Sequence, residues 1–296
     1  MEYNGTVYRP PIEANTFLIP LTEGCSHNSC HFCSMYKDVP FRMWPTADVE
    51  AYVKGAKERY GWQIEDLERV YLIGADPFVL SAKNLIERID VIKKYLPKVK
   101  VVTMYARIEN IAHKSDDDLK ALKAAGVNDL YIGIESGLTD ILEYLNKGYT
   151  IEEIREQCLR LNAVGIRHSD LLMLGTGGRG RGQENALAMA KLENEIKPTQ
   201  ILVNTMSAFA GTKLDDDIKK GLFIPAEERE NLEEEKTFLE HLELPDTYFW
   251  ALHPLDSVRI DGVLKKDKQK MIAILEDAIT NASHERIQRT ARRGTL

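Results

Sequence analysis

At 296 residues, with 44% hydrophobic and 29% charged side chains, the chain has the composition of an ordinary folded protein, which excludes a largely disordered one. Its net charge of −7 repels phosphate backbones over the surface as a whole, so nucleic acid is not an expected partner outside a local basic patch. No apolar run approaches the roughly 20 residues that span a bilayer, and the opening MEYNGTVYRPP lacks the basic-then-apolar pattern of a secretion signal; a cytoplasmic protein with no membrane partner is expected.

From about residue 16 to residue 210, short apolar, β-branched runs alternate with longer segments of helical period, the pattern of βα units on a parallel sheet. The first strand is expected at 16–21 (TFLIPL), with a helix over 47–60. RVYLIG from Arg69 leads to a helix at 82–95, and KVVTMY from Lys100 to one at 115–125. DLYIGI from Asp129 leads to a helical stretch at 138–164, interrupted near Gly148. DLLMLG from Asp170 leads to 182–196, and QILVNT from Gln200 to 214–220. Gly126 and Gly165 each follow a helix and precede a strand, where a left-handed residue is expected to end the helix. After Gly211 come a strongly charged helix at 226–242, the aromatic segment TYFWALHP and a last helix near 265–281, read together as an appendage covering the sheet. The expected fold class is α/β: a partial (β/α)6 TIM-like barrel with a C-terminal α+β extension. Its expected parts are an N-terminal arm (1–15), the barrel (16–210) and a cap (211–296). The paired prolines of VYRPPIEA favour an extended arm over the barrel mouth, and the basic tail RIQRTARRGTL reads as a frayed terminus.

Three of the four cysteines lie within nine residues, in GCSHNSCHFCSMY directly after the first strand. That is a poor disulfide framework and a good metal-binding one. A loop at this place opens at the C-terminal end of the strands, where parallel barrels carry out chemistry. Two readings follow from the spacing. Cys25, Cys30 and Cys33 can ligate three irons of a 4Fe-4S cluster and leave the fourth iron open; or the same thiolates, with His27 or His31, can hold a structural zinc ion. A zinc knuckle staples a small domain, whereas a six-unit α/β chain needs no staple.

These residues resemble the radical S-adenosylmethionine (SAM) superfamily, whose usual signature is CxxxCxxC with an aromatic residue before the third cysteine. Phe32 takes that place, and four residues rather than three separate Cys25 from Cys30. The resemblance extends over roughly residues 7 to 283 and is strongest before residue 180. It implies that the turn Gly74-Ala75-Asp76-Pro77, where the family has a Gly-Gly-Glu-Pro-like sequence, offers backbone carbonyls to the amino group of SAM. LYIGIESGLTDILEYLNKG, from Leu130 to Gly148, looks like the fourth strand and helix of the elongator-type, methylthiotransferase and oxygen-independent coproporphyrinogen oxidase branches. By that resemblance Glu135 would receive hydrogen bonds from the ribose or another polar part of SAM, and Lys147 would face its carboxylate; an ordinary solvated helix lysine is the alternative for Lys147. Tyr105 and Arg107 point by position toward the same ligand, Arg107 with the fork that binds carboxylates. Gly175 would let the chain pass close to adenine. The surrounding GTGGRGRG also fits a phosphate loop with Arg179 and Arg181, although it lacks a Walker lysine and a GxGxxG spacing.

The implied cofactors are a 4Fe-4S cluster and SAM, and the implied chemistry is reductive cleavage of SAM to a 5′-deoxyadenosyl radical, fed by an electron donor such as flavodoxin or ferredoxin. Beyond the three ligands only Cys158 remains, too little for a second cluster, so methylthiolation is not expected; Cys158 lies in IEEIREQCLRLNAVG at helical spacing and reads as a buried thiol. No cobalamin domain is expected before Cys25. The expected partner is a small-molecule substrate, with an RNA substrate as the second choice. Tyr248, Phe249, Trp250 and His253 offer either a lid over the substrate or a packed edge strand, the latter preferred. His253 reads as a surface histidine or a proton donor.

Overall fold

The computed structural model describes residue 3 and residues 6–281; RIQRTARRGTL lies outside them. The chain divides into two compact units. The first gathers the described residues up to Asn28 with Met35–Ile132 and Glu156–His168, and the second gathers Ser29–Ser34, Gly133–Arg155 and the residues from Ser169 on.

In the first unit, β1 (Phe17–Pro20) is followed by a short hairpin of β2 (Thr22–Glu23) and β3 (Arg42–Met43), then α1 (Thr46–Tyr60), β4 (Arg69–Ile73), α2 (Ala82–Tyr95), β5 (Val101–Ala106), α3 (Ile108–Ala112) and α4 (Asp116–Ala125). β6 (Leu130–Glu135), α6 (Ile151–Ala163) and β7 (His168–Leu174) each run through both units. β1, β4, β5 and β6 are parallel neighbours in that order, with Phe17 opposite Val70, Arg69 opposite Val101 and Tyr105 opposite Tyr131. Leu130 N–H donates to Arg167 O (3.0 Å) beside the start of β7. β4 and β5 are buried along most of their length, as strands covered on both faces must be.

The helices form where the sequence predicts them because their ends are provided for. Ser81 caps α2, whose Leu85, Ile89 and Ile92 are buried at helical spacing. Ser115 and Asp118 make a reciprocal capping box on α4, which ends at Gly126 with φ 103°. Gly165, with φ 75°, follows α6 in the same way. Cys158 is fully buried on α6, as its spacing predicts.

The arm departs from expectation. Tyr8 does pack edge-on against Tyr36 (5.3 Å between ring centres). The Pro11–Glu13 turn, however, carries Glu13 to the amino ends of the strands, where Arg69 at the start of β4 pairs with Glu13 and Asp129, and Tyr131 OH donates to Glu13 (2.6 Å). Burial alone raises the Glu13 carboxyl, but bonds from Arg69, Thr16 and Tyr131 outweigh it and hold the group below its ordinary value.

In the second unit, α5 (Thr139–Tyr144) follows β6, and β7 leads to α7 (Gly182–Ile196), β8 (Gln200–Thr205), α8 (Lys213–Lys219), α9 (Glu228–His241), β9 (Tyr248–Ala251), β10 (Ile260–Val263) and α10 (Leu264–Asn281). β7 and β8 are parallel from Ser169 opposite Gln200 to Leu174 opposite Thr205. The segment expected as a covering appendage instead continues the sheet. β9 lies parallel to β8, with Gln200 opposite Tyr248, and β10 turns back antiparallel. Phe249 and Ala251 are fully buried and Trp250 nearly so, with Phe249 against Phe238 of α9 (6.2 Å). The aromatic run is therefore a packed strand and not a lid: three consecutive side chains are buried, as in a strand covered on both faces, and Phe249 meets the helix that precedes it. Among the described residues no helix is long and apolar enough to cross a membrane.

Candidate functional site

In the first unit, the β2–β3 hairpin brackets residues 24–41. Glu23 receives Arg42 through two 2.9 Å bonds and Trp44 Nε1 at 3.0 Å, closing the base of the loop. Cys25 stands just beyond β2 as a free thiol, partly exposed. Burial raises the thiol, while backbone N–H groups of Asn28 and His27 and the charge of Arg107 pull it down. The Asn28 N–H lies 3.3 Å from the sulfur.

The turn after β4 is built around Gly74 and Asp76. Gly74 has φ 149°, and any side chain there would collide with Thr22 Oγ1, so the close passage of two backbones demands glycine. Asp76 is fully buried. Its Oδ2 accepts Ser26 Oγ (2.7 Å) and Asn110 Nδ2, whereas Oδ1 has no hydrogen-bond partner. Burial pushes this carboxyl up to about 7 against the pull of Ser26 and Arg107. Ala75 is partly exposed and Pro77 opens a single helical turn, Pro77–Val79. Arg107 is nearly buried and its Nε bonds Glu109 (2.5 Å). Tyr105 joins Tyr71 and Tyr131 in a cluster of rings 6.0–6.2 Å apart. Nearby Lys114 donates to Phe78 O (2.6 Å) and Asn110 O (3.0 Å), and burial lowers its ammonium to about 8.

In the second unit, Cys30 and Cys33 are likewise outside any disulfide and partly exposed. Backbone bonds hold their segment: His31 N–H to Leu145 O (3.0 Å), Leu214 N–H to His31 O (2.9 Å) and Asn146 Nδ2 to Ser29 O (2.8 Å). Phe32 packs with Leu138, Tyr144 and Met206 against Ile141, Leu145 and Met173. Lys147 is not a solvated helix lysine: it is 4% exposed, donates to Glu135 Oε1 at 2.9 Å and lies over the rings of Phe32 and Tyr149. Glu135, the last residue of β6, is itself buried and has φ 69°, a backbone region costly for a non-glycine residue.

Gly175, just past β7, has φ 78°, and a Cβ there would meet Asn231 Oδ1 at 2.7 Å. Its N–H donates to Glu234 Oε2 (2.9 Å), and Glu234 Oε1 accepts Asn185 Nδ2 (2.7 Å). Asn185 Oδ1 in turn accepts Ser136 Oγ (2.6 Å) and the Gly137 N–H. One polar network thus fixes the ends of β6 and β7. Arg181 pairs with Asp140 and Glu184, and Arg179 with Glu227, so both cations of the phosphate-loop reading already face carboxylates. His253 shapes its own turn, with Nδ1 accepting the Leu255 N–H (3.2 Å).

Ser26, Asn110, Asn185 and Glu234 escape a reading of the sequence. Their partners are 34 to 59 positions away and follow no motif, and Glu234 sits in a helix that reads as strongly charged. The donor set is one of soft sulfur ligands, the kind that iron-sulfur clusters take. Among the described residues no three His, Cys, Asp or Glu side chains are gathered as the ligands of one metal ion would be. In a cluster each of three thiolates ligates its own iron, and Cys25, Cys30 and Cys33, all outside disulfides in one loop, are donors of that chemical kind. The partnerless, buried Asp76 Oδ1 and the glycine-only turns at Gly74 and Gly175 suit a polar ligand lying close to backbone.

A family model described as the Radical SAM superfamily matches residues 19–192. The heme chaperone HemW of Lactococcus lactis is 25% identical over 145 residues, 49% of this chain and 37% of that one. The tRNA uridine(34) acetyltransferase of Methanocaldococcus jannaschii is 20% identical over 249 residues, 71% of this chain and 46% of that one. The chain therefore spans less than half the length of either curated relative. Among solved structures, methylornithine synthase PylB superposes with a TM-score of 0.54 at 16% identity, over 93% of this chain and 85% of that one. That likeness carries the fold alone: an α/β fold with a mainly parallel eight-stranded sheet, consistent with a partial TIM barrel.

Proposed function

The chain belongs to the radical SAM superfamily of enzymes, and on that footing we propose that Cys25, Cys30 and Cys33 hold one 4Fe-4S cluster beside a bound SAM whose radical acts on a small organic molecule. The observation that carries this reading is the buried Glu135–Lys147 pair at the end of β6, set against Phe32 of the cysteine segment. A carboxylate on strained backbone and a desolvated ammonium beside the cysteine-bearing segment are costly to keep and suit a zwitterionic ligand. When bound, the cluster would supply one electron for the reductive cleavage of SAM.

The chain's own residues bind and orient. Backbone carbonyls of the Gly74–Pro77 turn receive the amino group of the methionine moiety. Lys147 and Arg107 offer cations to its carboxylate, and Glu135 receives the ribose hydroxyls, so that the bound ligand exchanges one internal ion pair for charge-assisted bonds of its own. Tyr105 offers a ring edge and a hydroxyl to the same ligand. Gly175, held by Glu234, lets adenine lie against the main chain. The apolar packing around Phe32 keeps water from this side of the cofactor, where a radical must meet only its intended hydrogen. An electron donor such as flavodoxin or ferredoxin completes the system.

Leu130–Gly148 supports a place among the elongator-type, methylthiotransferase and oxygen-independent coproporphyrinogen oxidase branches. Similarity to a tRNA-modifying protein supports a second reading, action on RNA, against which stands the net charge of −7. Binding of transfer RNA that weakens steeply with salt would favour RNA, and its absence the small molecule.

Anaerobic reconstitution tests the main reading. The wild-type protein should take up about four irons per chain and release 5′-deoxyadenosine on addition of dithionite and SAM. Alanine at Cys25, Cys30 or Cys33 should abolish both results, while Cys158→Ala should keep the iron. A colourless protein that binds zinc would defeat the proposal.

A further inference from the structure

The loop that carries Cys25 has little burial to fix it, since Ser26 and Asn28 are exposed and Cys25 and His27 only partly covered. With four residues between Cys25 and Cys30, it also has one more pair of soft backbone dihedrals than the usual three-residue spacing. Two local features take up this slack. Asn28 adopts a left-handed conformation (φ 45°), turning its N–H to Cys25 Sγ (3.3 Å) and its side-chain amide to Tyr36 O (3.0 Å). Ser26, next to the cysteine, is tied by its hydroxyl to Asp76 Oδ2 at 2.7 Å.

Asp76 is a firm anchor. It has no solvent exposure and sits in the turn after β4, where Gly74 packs against Thr22. Asn110 of α3 donates to the same oxygen that Ser26 uses. The carboxylate is thus set by β4 and α3, and of Ser26, Asp76 and Asn110 only Ser26 is an exposed residue. We propose that Asp76, acting through Ser26, is a positioning residue for Cys25 and offsets the extra residue between the first two cysteines. Two of the places where the chain departs from the usual family sequence, the cysteine loop with its extra residue and the acidic residue of the turn, are joined by one hydrogen bond. This inference rests on Cys25 being a cluster ligand. Groups that orient a metal ligand commonly govern how long the metal stays bound.

The test uses the full chain, reconstituted anaerobically, with loss of the cluster's visible absorbance to a strong iron chelator as the readout and no substrate present. Ser26→Ala should lose the cluster about 10- to 100-fold faster than the wild type, while the unfolding midpoint of its iron-free form stays unchanged, because the residue is exposed. Ser26→Thr, which keeps the hydroxyl, should restore slow loss. Asp76→Ala should match Ser26→Ala, and the double variant should be no faster than either, as expected when two groups act through one bond. Equal rates for wild type and Ser26→Ala would overturn the proposal alone. Equally fast loss in Ser26→Ala and Ser26→Thr would overturn it too, by showing that side-chain bulk and not the bond is responsible. A wild type that takes up no iron would overturn both this inference and the proposed function.

Discussion

Lys147 and Glu135 face each other almost wholly out of water, with side-chain exposures of 5% and 10%. Two buried charges of this kind hold the fold only as a pair, because removing one leaves the other desolvated and unmatched. Lys147→Met should therefore lower stability by about 3–5 kcal/mol in urea denaturation of the cofactor-free protein. Adding Glu135→Gln should recover most of that loss, since an apolar residue and a neutral amide need no charge partner. A double variant no more stable than Lys147→Met would mean that packing of the lysine stem over Phe32 and Tyr149, not charge, accounts for the loss. At this scale the sequence was half legible. Cys25, Cys30, Cys33 and Phe32 stand out as candidates by spacing, and Glu135 by resemblance. Ser26, Asn110 and Asn185 do not, because a hydrogen bond across 34 to 50 positions leaves no local trace.

The helix α9 shows the same limit one level up. Its sequence, ERENLEEEKTFLEH, reads as a strongly charged helix, yet Glu228, Asn231, Glu234 and Glu235 are all buried. Period alone does not say which polar side chains face inward when the site to be supported is itself polar. Glu234 carries a consequence for pH. Burial pushes its carboxyl up from 4.5 to about 7, against the pull of Asn185 and the Gly175 N–H. Below pH 4.5 the group is protonated folded or unfolded and costs nothing. Between that value and about 7 the unfolded chain ionises while the folded one holds its proton, so stability is lost as pH rises, at about 1.4 kcal/mol per unit. A glutamine does not titrate. Measured from pH 5 to pH 8, the stability of Glu234→Gln relative to wild type should rise by about 3 kcal/mol and level off above pH 7, on top of a constant loss from the bond that the amide fails to make. A flat difference across that range would show that Glu234 ionises as freely in the fold as in water.

For the molecule as a whole, the alternation of strands and helices was legible, because a parallel sheet covered on both faces writes itself as apolar runs between amphipathic stretches. All six expected strands lie within two residues of their places. What the pattern does not reveal is the fate of the segment after Gly211, since a short aromatic strand reads alike whether it covers a sheet or extends one. The structure makes it an extension. β9 hydrogen-bonds along β8 from Gln200 to Leu202, Phe238 of α9 packs on Phe249, and Glu234 holds the Gly175 N–H at the end of β7. The family match ends at residue 192, inside α7 and before β8 begins, so the matched region contains Gly175 but not the residue that fixes it. A chain cut after Gly211 would expose the edge of β8, from Gln200 to Leu202, as an unpaired row of backbone donors and acceptors. Such a fragment should be found in the insoluble fraction, or, where soluble, should show helical circular dichroism without a cooperative melting transition. An independently folding cap predicts the opposite, a soluble 1–211 fragment that melts sharply and still takes up iron. Because the fragment keeps all three motif cysteines, iron uptake by a sharply melting fragment would show that the last strands are dispensable to the fold, and its absence that they complete the sheet on which the site is built.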